Sequence, residues 1–387
     1  VPSQRSVDVN MDYDVVVIGG GLAGLQTTRL LAMRGLKVVC LEQHLIGEVI
    51  QLTGLFVQEA FEELPFPQHL FGSGLSRITI HAPGGNTLSV EHPHYRLYVA
   101  DMPALLEWMA QEAKHTGATI LERHRLVELL PTRSGMELQV QYPGGDPFTV
   151  TSRFVLGADG PLSRVAACLG LPRYRRFLHG IEEHYKADEI GEGVVHWYFG
   201  RRLAPGYLAW VIPADGGYQV GLAGLVRSGW SPARALEGFV EVVRPEFNLG
   251  EMTFRRGGVI PCAGPRPVLV KERTMLVGDA AGLVSPLTSG GIHFVLQQSR
   301  RSAYLVSRYL ETGDTRLFRR PLPPEVHRRM VMKKLVRRVY ELGSKDWLLD
   351  LGMAVVPAVL RTRLVKRAFY GSKRSRSRRW MPVDEEL

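Results

Sequence analysis

The sequence predicts an α/β fold in which two sheet domains interleave along the chain and a helical segment follows them. Three observations support this prediction. An apolar strand, a glycine-rich turn, a helix and a second strand follow one another between Tyr13 and Glu42, which is the order of a βαβ unit. Strand, glycine turn and helix recur near residues 154 and 275. Between residues 175 and 260, short strands alternate with Gly and Pro turns, as in a mixed sheet.

Composition places the chain among globular proteins with several domains. Of its 387 residues, 45% are hydrophobic and 22% are charged, which excludes a disordered chain. No apolar run reaches the ~18 residues that span a bilayer. Cys40, Cys168 and Cys262 lie too far apart to ligate an iron–sulfur cluster or zinc on their own, and they indicate a reducing compartment. Because no leader pattern precedes the first strand, we expect a cytoplasmic protein.

Positive charge is concentrated in the C-terminal part of the chain. The net charge is +10, yet residues 301–387 carry 21 Lys and Arg against 9 Asp and Glu, and the rest of the chain is close to neutral. A basic segment on a near-neutral body indicates an anionic partner, although a solvated helical face is the simpler interpretation. We expect no nucleic-acid partner, because no nucleic-acid-binding fold accompanies the charge.

The first ordered element is a strand that leads into a glycine motif. Residues 1–10 are polar and without pattern, so we predict a flexible extension there. The run Asp14 to Ile18 is apolar, typical of a buried parallel strand, and Gly19-Gly20-Gly21-Leu22-Ala23-Gly24 follows as a GxGxxG motif that opens a helix. The first glycine permits a tight turn, the second lets the backbone approach a pyrophosphate, and the third lets the helix pack closely on the strand.

The next strand ends at an acidic residue. Glu42, followed by Gln43, stands where a carboxylate accepts hydrogen bonds from ribose hydroxyls. The phosphates would then lie at the positive end of the helix, beside Leu22 and Ala23. Two strands, the glycines and the acid in register predict a bound dinucleotide.

The middle of the chain supplies the remaining elements. Residues 77–100 alternate in hydropathy around Gly84-Gly85-Asn86 and predict a hairpin. Pro103 to His115 predicts a helix with Pro in its first turn, and residues 118–157 predict three or four strands. One short helix is predicted near Pro232 to Val243.

Two further motifs repeat the order of strand, tight turn and helix. One runs from Phe154 to Val165 and holds Asp159. The other runs from Met275 to Leu287 and contains the cofactor candidates Gly278, Asp279 and Pro286. An aspartate beside a glycine at the end of a buried strand can accept a hydrogen bond from a ribitol or ribose hydroxyl. The three motifs together resemble the FAD-binding signature of group A flavoproteins, the fold of para-hydroxybenzoate hydroxylase. The resemblance implies FAD as cofactor and a Rossmann-like, glutathione-reductase-like FAD-binding domain.

A narrower resemblance covers roughly residues 11–300. The run Pro205 to Pro213, followed by Val220-Gly221, looks like the substrate-domain signature of geranylgeranyl reductases, and the run Gly278 to Gly291 looks like their flavin-proximal loop. The resemblance implies an oxidoreductase that reduces C=C bonds of an isoprenoid or other hydrophobic small molecule with reduced FAD. It also implies a mixed β-sheet substrate domain in which the substrate residues are Tyr207, Trp210 and Pro213.

The flavin-proximal loop contains the predicted catalytic residues. Gly290 and Gly291 lead into the helix Ile292 to Arg300, whose dipole and first N–H groups would face the negative charge of a reduced flavin. His293 lies within the first turn and is a candidate for orienting groups near the flavin, with a packed or solvated histidine as the other interpretation. No second GxGxxG marks a stable nicotinamide site, so electrons would come from transiently bound NAD(P)H or from a protein donor.

The chain departs from the geranylgeranyl reductase pattern at two places. The cysteine usual near a Gly–Glu pair after the second strand is missing beside Gly47-Glu48, and the arginine before the third helix is not matched in Val99 to Met102. Trp210 to Pro213 also matches the second half of the Trp-x-Trp-x-Ile-Pro motif of flavin-dependent halogenases, with Leu208 at the first Trp. The alternatives are therefore an FAD monooxygenase or halogenase acting on an aromatic or polyketide-like substrate, and a membrane-associated electron-transfer flavoprotein. We expect no metal, because the twelve histidines show no ligand spacing.

We predict four regions along the chain: a flexible extension at 1–10; an FAD-binding domain at 11–76, 98–170 and 256–300; a substrate-binding β-sheet domain at 77–97 and 171–255; and a basic helical segment at 301–387. Within the last region, the run Trp347 to Leu360 is nearly apolar and basic residues border it from Arg337 to Arg367. One interpretation is an interfacial helix that contacts an anionic membrane through residues 333–379, at the inner face of the membrane. The other is a helical hairpin that caps the substrate domain.

Overall fold

A computed structural model describes residues 12–191, 193–226, 229–343, 345–356 and 359–363. The predicted extension at 1–10 and the arginine-rich run Lys373 to Arg379 lie outside the described residues. The strands are β1 (Asp12–Ile18), β2 (Val38–Leu41), β3 (Leu55–Val57), β4 (Arg77–His81), β5 (Thr87–Glu91), β6 (Leu97–Val99), β7 (Thr119–Leu121), β8 (Arg125–Pro131), β9 (Met136–Gln141), β10 (Phe148–Gly157), β11 (Phe177–Lys186), β12 (Val194–Tyr198), β13 (Ala209–Ala214), β14 (Gly217–Leu225), β15 (Met252–Pro261), β16 (Val270–Lys271) and β17 (Thr274–Leu276).

The helices are α1 (Leu22–Ala32), α2 (Met102–His115), α3 (Arg164–Cys168), α4 (Pro232–Phe247), α5 (Ile292–Thr312), α6 (Pro324–Gly343) and α7 (Asp346–Val355). Short 3₁₀ helices lie at Gln58–Glu62, Gln68–Leu70, Gly278–Ala281 and Thr315–Arg319. The helix expected from Pro103 starts one residue earlier, where the Asp101 side chain accepts a hydrogen bond from the backbone N–H of Ala104 and caps α2.

The first sheet has the order β16–β17–β10–β1–β2–β7, and β9 and β8 continue it from β10. β1 pairs in parallel with both β10 and β2. Alternate residues of β1 point to opposite faces: Val15 and Val17 join a cluster with residues of α1 and α5, whereas Val16 and Ile18 join one that contains Met330 of α6. Because both faces of β1 are covered, its sequence is a continuous apolar run.

The second sheet has the order β15–β11–β14–β13–β12–β4–β5. The pair β12–β4 is parallel and the others are antiparallel, so the sheet is mixed, as the sequence predicts. β4 and β5 form the expected hairpin. Residues of α4 pack against one face through Phe239 and Val243, which leaves the opposite face of β13 turned toward the first domain.

Three of the predicted boundaries fall inside elements. The boundary at 97 and 98 falls within β6. β15 runs across the boundary at 255 and 256 because its ladder with β11 continues without a gap from Arg255 to Pro261. The boundary at 300 falls within α5, a single helix that continues to Thr312. Residues 256–261 therefore belong to the second sheet, and the FAD-side helix extends beyond residue 300.

The C-terminal helices α6 and α7 differ in how they contact the body. α6 packs Val326 and Met330 into the first core. Arg337, one of the basic residues thought to border a membrane helix, is only 2% exposed and forms an ion pair with Glu341, so that expectation is wrong for Arg337. Half of the residues of α7 are exposed and the other half are partly buried. In the described part of the chain, no helix combines the length and the apolar character that crossing a membrane requires.

Candidate functional site

A cavity of about 1770 Å³ lies between the ends of the first-sheet strands and the inner face of the second sheet. Its volume exceeds the ~300–1,000 Å³ of a typical small-molecule site, so it has room for more than one ligand. The predicted cofactor and catalytic residues on its wall are Gly19, Gly21, Leu22, Ala23, Glu42, Gln43, Asp159, Gly278, Asp279, Gly290, Gly291 and His293.

The glycine motif forms a tight turn with open space in front of α1. Gly19 has φ +106°, and a Cβ there would lie 2.4 Å from the carbonyl oxygen of Ala158. At Gly21 no atom lies within 4 Å of a built Cβ, so the start of α1 is open to a ligand. Gly24 does not line the cavity, because a Cβ there would lie 1.7 Å from the carbonyl oxygen of Gly19. Its role is therefore close packing of α1 on the preceding turn, which is the role that the sequence predicts for the third glycine of the motif.

Glu42 holds its carboxylate at the end of β2 through two backbone donors. The N–H of Gly20 donates to Oε2 at 2.6 Å, and the N–H of His44 donates to Oε1 at 2.9 Å. A carboxylate has further lone pairs, which ribose hydroxyls can use. The side chain thus joins the glycine turn to the neighbouring strand end.

Two buried aspartates supply acceptors elsewhere along the wall. Asp159 Oδ2 accepts from the N–H of Val165 at 2.9 Å, whereas its Oδ1 is buried and has no partner within the described residues. Burial raises the pKa of Asp159, and it raises the pKa of Asp279 to about 6. Acceptors of this kind fit the hydroxyl groups of an extended dinucleotide. Together with the open turn at Gly21, they fit FAD.

The flavin-proximal loop is shaped by its own hydrogen bonds. Ser285 Oγ accepts from the N–H of Thr288 at 3.3 Å, and the N–H of Ser285 donates to the carbonyl of Gly290 at 3.1 Å. α5 begins immediately after Gly291, so Gly290 and Gly291 stand at its positive end. Pro286 does not line the cavity. Its carbonyl accepts from Arg337 Nη1 at 2.8 Å, so the loop uses Pro286 as an anchor, which corrects its assignment to the cofactor.

His293 lines the cavity with a neutral ring. Burial lowers the pKa of His293 to about 4, and its Nδ1 is buried with no partner within the described residues. A neutral imidazole at neutral pH can accept a hydrogen bond but cannot act as a cationic acid. This geometry favours an orienting role over proton donation.

Strand β13 turns alternate side chains toward the cavity. Trp210 and Ile212 line it, together with Leu208 immediately before the strand, whereas Val211 packs in the cluster of α4 on the other face. Pro213 lies an odd number of residues from Trp210 and does not line the cavity, so its assignment to the substrate is wrong. Leu208 and Ile212 were missed, although the period of two along the strand could have found them.

Tyr207 joins the two domains at the cavity. It lines the cavity as predicted, and its hydroxyl donates to the carbonyl of Thr288 at 2.6 Å. Burial raises the pKa of Tyr207, which keeps the phenol neutral. The signature run of the second sheet is thereby fixed to the flavin-proximal loop.

A buried ion pair behind Trp210 was not predicted. Arg256 Nε donates to Glu182 Oε1 at 2.7 Å, and Trp210 Nε1 donates to Glu182 Oε2 at 2.7 Å. Burial raises the pKa of Glu182, and the Arg256 charge opposes that shift. The pair fixes the indole ring in an otherwise mainly apolar wall. No motif marks it, because Glu182 and Arg256 meet only through the register of β11 with β15.

Helix α6 also contributes to the cavity wall, through Val326, Met332, Lys333 and Val336. Lys333 Nζ donates to Ser285 Oγ at 3.0 Å, and burial lowers the pKa of Lys333 to about 8. The basic C-terminal segment thus forms part of the cavity wall as well as part of the molecular surface. Within the described residues, no group of three or more His, Cys, Asp or Glu side chains could hold a metal ion.

The sequence of the chain is similar to those of known flavoproteins. The FAD binding domain family model matches residues 12–190. Digeranylgeranylglycerophospholipid reductase 2 of Methanothermobacter thermautotrophicus is 30% identical over 318 residues, which are 78% of this chain and 80% of that protein. Digeranylgeranylglycerophospholipid reductase of Methanocaldococcus jannaschii is 26% identical over 317 residues, covering 79% of this chain and 80% of that protein.

Solved structures share the fold at lower identity. A geranylgeranyl bacteriochlorophyll reductase-like protein from Thermoplasma acidophilum superposes with a TM-score of 0.81 at 18% identity, covering 93% of this chain and 97% of that chain. A flavin-dependent brominase superposes with a TM-score of 0.64 at 15% identity, covering 92% of this chain and 91% of that chain.

Proposed function

Because the chain belongs to the digeranylgeranylglycerophospholipid reductase family of FAD-dependent oxidoreductases, we propose that it reduces carbon–carbon double bonds of an isoprenoid lipid. One observation of the structure supports this most directly: a single cavity joins the dinucleotide residues to the apolar inner face of the second sheet. FAD, when bound and reduced, supplies the hydride for such a reduction. A second hydrogen must reach the other carbon as a proton.

The residues of this chain have separate tasks in the proposed reaction. The N–H groups of Gly290 and Gly291 and the positive end of α5 favour negative charge beside the loop. Leu208, Trp210 and Ile212 offer an apolar surface to the chain of the substrate and exclude water. The bond from Tyr207 to Thr288 holds this surface against the loop. Transiently bound NAD(P)H is the proposed source of electrons.

We also propose that α7 contacts an anionic bilayer, because its polar side faces the body. Asp346 Oδ1 accepts from the N–H of Arg201 at 2.7 Å, and Asp350 Oδ1 accepts from the N–H of Gly84 at 2.8 Å. Trp347 is 58% exposed and Val355 is 69% exposed on the other side. A helix that presents apolar side chains to solvent beside basic residues suits the interface of a membrane. Because an isoprenoid lipid is scarcely soluble in water, the protein would bind its substrate at this membrane interface.

The decisive experiment supplies FAD-loaded, dithionite-reduced protein with digeranylgeranylglycerophospholipid in vesicles under anaerobic conditions. We expect products that gain two hydrogens per double bond, measured by mass spectrometry. Trp210→Ala should slow the reduction, whereas Val211→Ala, on the opposite face of the same strand, should keep its rate. A product that gains oxygen in air, with none that gains hydrogen, would instead support the oxygenase or halogenase alternative. Reduction of a quinone alone would support the electron-transfer alternative.

A further inference from the structure

A second pocket, of about 740 Å³, lies on the surface between the start of β11, the end of β14 and the C-terminal half of α6. We call it the arginine pocket. It is lined by Arg175, Arg176, Phe177, His179, Leu225, Val226, Arg338 and Glu341. None of these residues takes part in the cavity described above.

Cations outnumber anions in the arginine pocket. Among the described residues that line the pocket, Glu341 is the one carboxylate. It is already held by Arg337, whose Nε donates to Oε1 at 2.7 Å, and by an ion pair with Arg176. Arg175 and Arg338 are exposed and form no ion pair with a carboxylate among the described residues. The pocket therefore retains excess positive charge, and guanidinium groups bind phosphate oxygens in a forked geometry.

Apolar walls distinguish this pocket from a simple charged patch. Phe177 and Leu225 are partly buried in it, and Val226 is 58% exposed at its edge. Inorganic phosphate gains nothing from such walls, whereas a phosphate ester with apolar chains does.

The pocket also continues into the apolar side of α6. Arg338 lies three residues after Leu335 and seven after Val331, so the three side chains share one side of the helix. Leu335 is 56% exposed and Val331 is 51% exposed. A lipid that lies along this side would bring its headgroup to Arg338.

From these observations we infer that the arginine pocket binds the phosphate of a membrane lipid headgroup, through Arg175, Arg176 and Arg338. The inference rests on the proposed bilayer contact for the source of its ligand. It does not depend on the reductase reaction.

The test uses the FAD-loaded protein and dihexanoyl phosphatidic acid, a phosphate ester that is soluble below its micelle concentration, in isothermal titration calorimetry at low ionic strength. We expect saturable binding that is about tenfold weaker in the R175A/R338A variant. R133A/R319A removes two exposed arginines elsewhere and should bind like the parent protein. R175K/R338K keeps the charge without the fork and should be intermediate.

Two results would overturn the inference. One is equal affinity of R175A/R338A and the parent protein for dihexanoyl phosphatidic acid. The other is competition by inorganic phosphate at the same concentration as the lipid, which would make the pocket a site for free phosphate. Reduction of a detergent-dispersed isoprenoid alcohol, which has no phosphate, tests the proposed reaction separately, so the two failures can be told apart.

Discussion

Two glycines of the GxGxxG motif differ in their roles, since we expect Gly21 to serve binding and Gly24 to serve folding. Gly21 faces open space, whereas Gly24 meets the backbone of Gly19. Gly21→Ala should therefore abolish FAD binding, while the free energy of unfolding of the apoprotein falls by only about 0.5–1 kcal/mol, because Gly21 is the N-cap of α1 and Ala is a poorer cap. Gly24→Ala should lower the free energy of unfolding by about 1–3 kcal/mol, because α1 must move away from the turn. Urea unfolding and FAD fluorescence measure both effects, and equal stability losses would contradict the distinction.

We expect the Asp279 carboxylate to lower the stability of the apoprotein and to strengthen FAD binding. Its pKa is raised from 3.8 to about 6 in the folded chain, so the folded state binds the proton more tightly than the unfolded state. Its contribution to stability is therefore favourable at acidic pH and is lost as pH rises through 6. Asp279→Asn should stabilise the apoprotein by about 1–3 kcal/mol at pH 8, and the gain should shrink toward pH 5.

The same substitution should weaken FAD binding by about 1–3 kcal/mol, because an oriented acceptor is lost. Thermal unfolding of the apoprotein at several pH values and FAD titration check the two effects. A gain in stability that does not vary with pH would contradict the role of titration.

At the residue scale, local sequence predicted the parts of the site that lie within one motif. Gly19, Gly21, Glu42 and Asp159 lie on the cavity wall because a strand end, a tight turn and a helix start are fixed by neighbours in sequence. The pair of Glu182 and Arg256 could not be predicted, since only strand register brings the two side chains together. Pro213 was assigned by motif, and the alternation of a strand turns it away from the cavity.

Among the elements, α7 has its polar side against the body, and this leads to a binding prediction. W347S/V355S should sediment less with anionic liposomes at low salt than the parent protein, which should itself be released as salt rises. M33S/V242S replaces two exposed apolar side chains, one immediately after α1 and one on α4, and should sediment like the parent protein.

Removal of the chain after Leu342 should abolish sedimentation and leave the bound FAD spectrum intact. The cavity residues of α6 all precede that point. Equal sedimentation of the shortened protein would show that α7 is not the anchor. Loss of FAD would show that the segment is part of the fold.

Element boundaries depend on tertiary partners, and this explains where the sequence interpretation failed. The βαβ unit and the β4–β5 hairpin were predicted because apolar runs and Gly turns mark them. The end of β15 is set by its ladder with β11, and α5 continues beyond residue 300 because its later residues Ala303 and Val306 are buried in the core. The sequence alone does not show these partners.

For the molecule as a whole, Arg337 connects three regions of the chain. Its guanidinium donates to the carbonyls of Pro286 and Gly206 at 2.8 and 3.0 Å and pairs with Glu341. Arg337→Ala leaves these buried acceptors without a donor and should lower the free energy of unfolding by about 3–5 kcal/mol. Its exposed neighbour Arg338 offers a control, since Arg338→Ala should change the free energy of unfolding by less than ~0.5 kcal/mol. Urea unfolding with FAD release as a second probe measures the loss, and a change as small as that of the control would contradict it.

The α/β class, the FAD-binding domain and the reductase family were predicted from short motifs and are confirmed. The place of α6 was not predicted. Its basic residues looked like a solvated or membrane face, and only packing shows that Arg337 and Lys333 point inward.

The apolar surface formed by Leu208, Trp210 and Ile212 lies at one fixed place beside the flavin-proximal loop. This has a consequence for the kinetics of the proposed reaction. An isoprenoid has double bonds at regular intervals, so each reduction brings only one of them to that place. The chain of the substrate must slide by one repeat or leave and return before the next reduction. A distributive enzyme would release partly saturated lipids early in the time course, whereas a processive one would release fully saturated product from the first turnover.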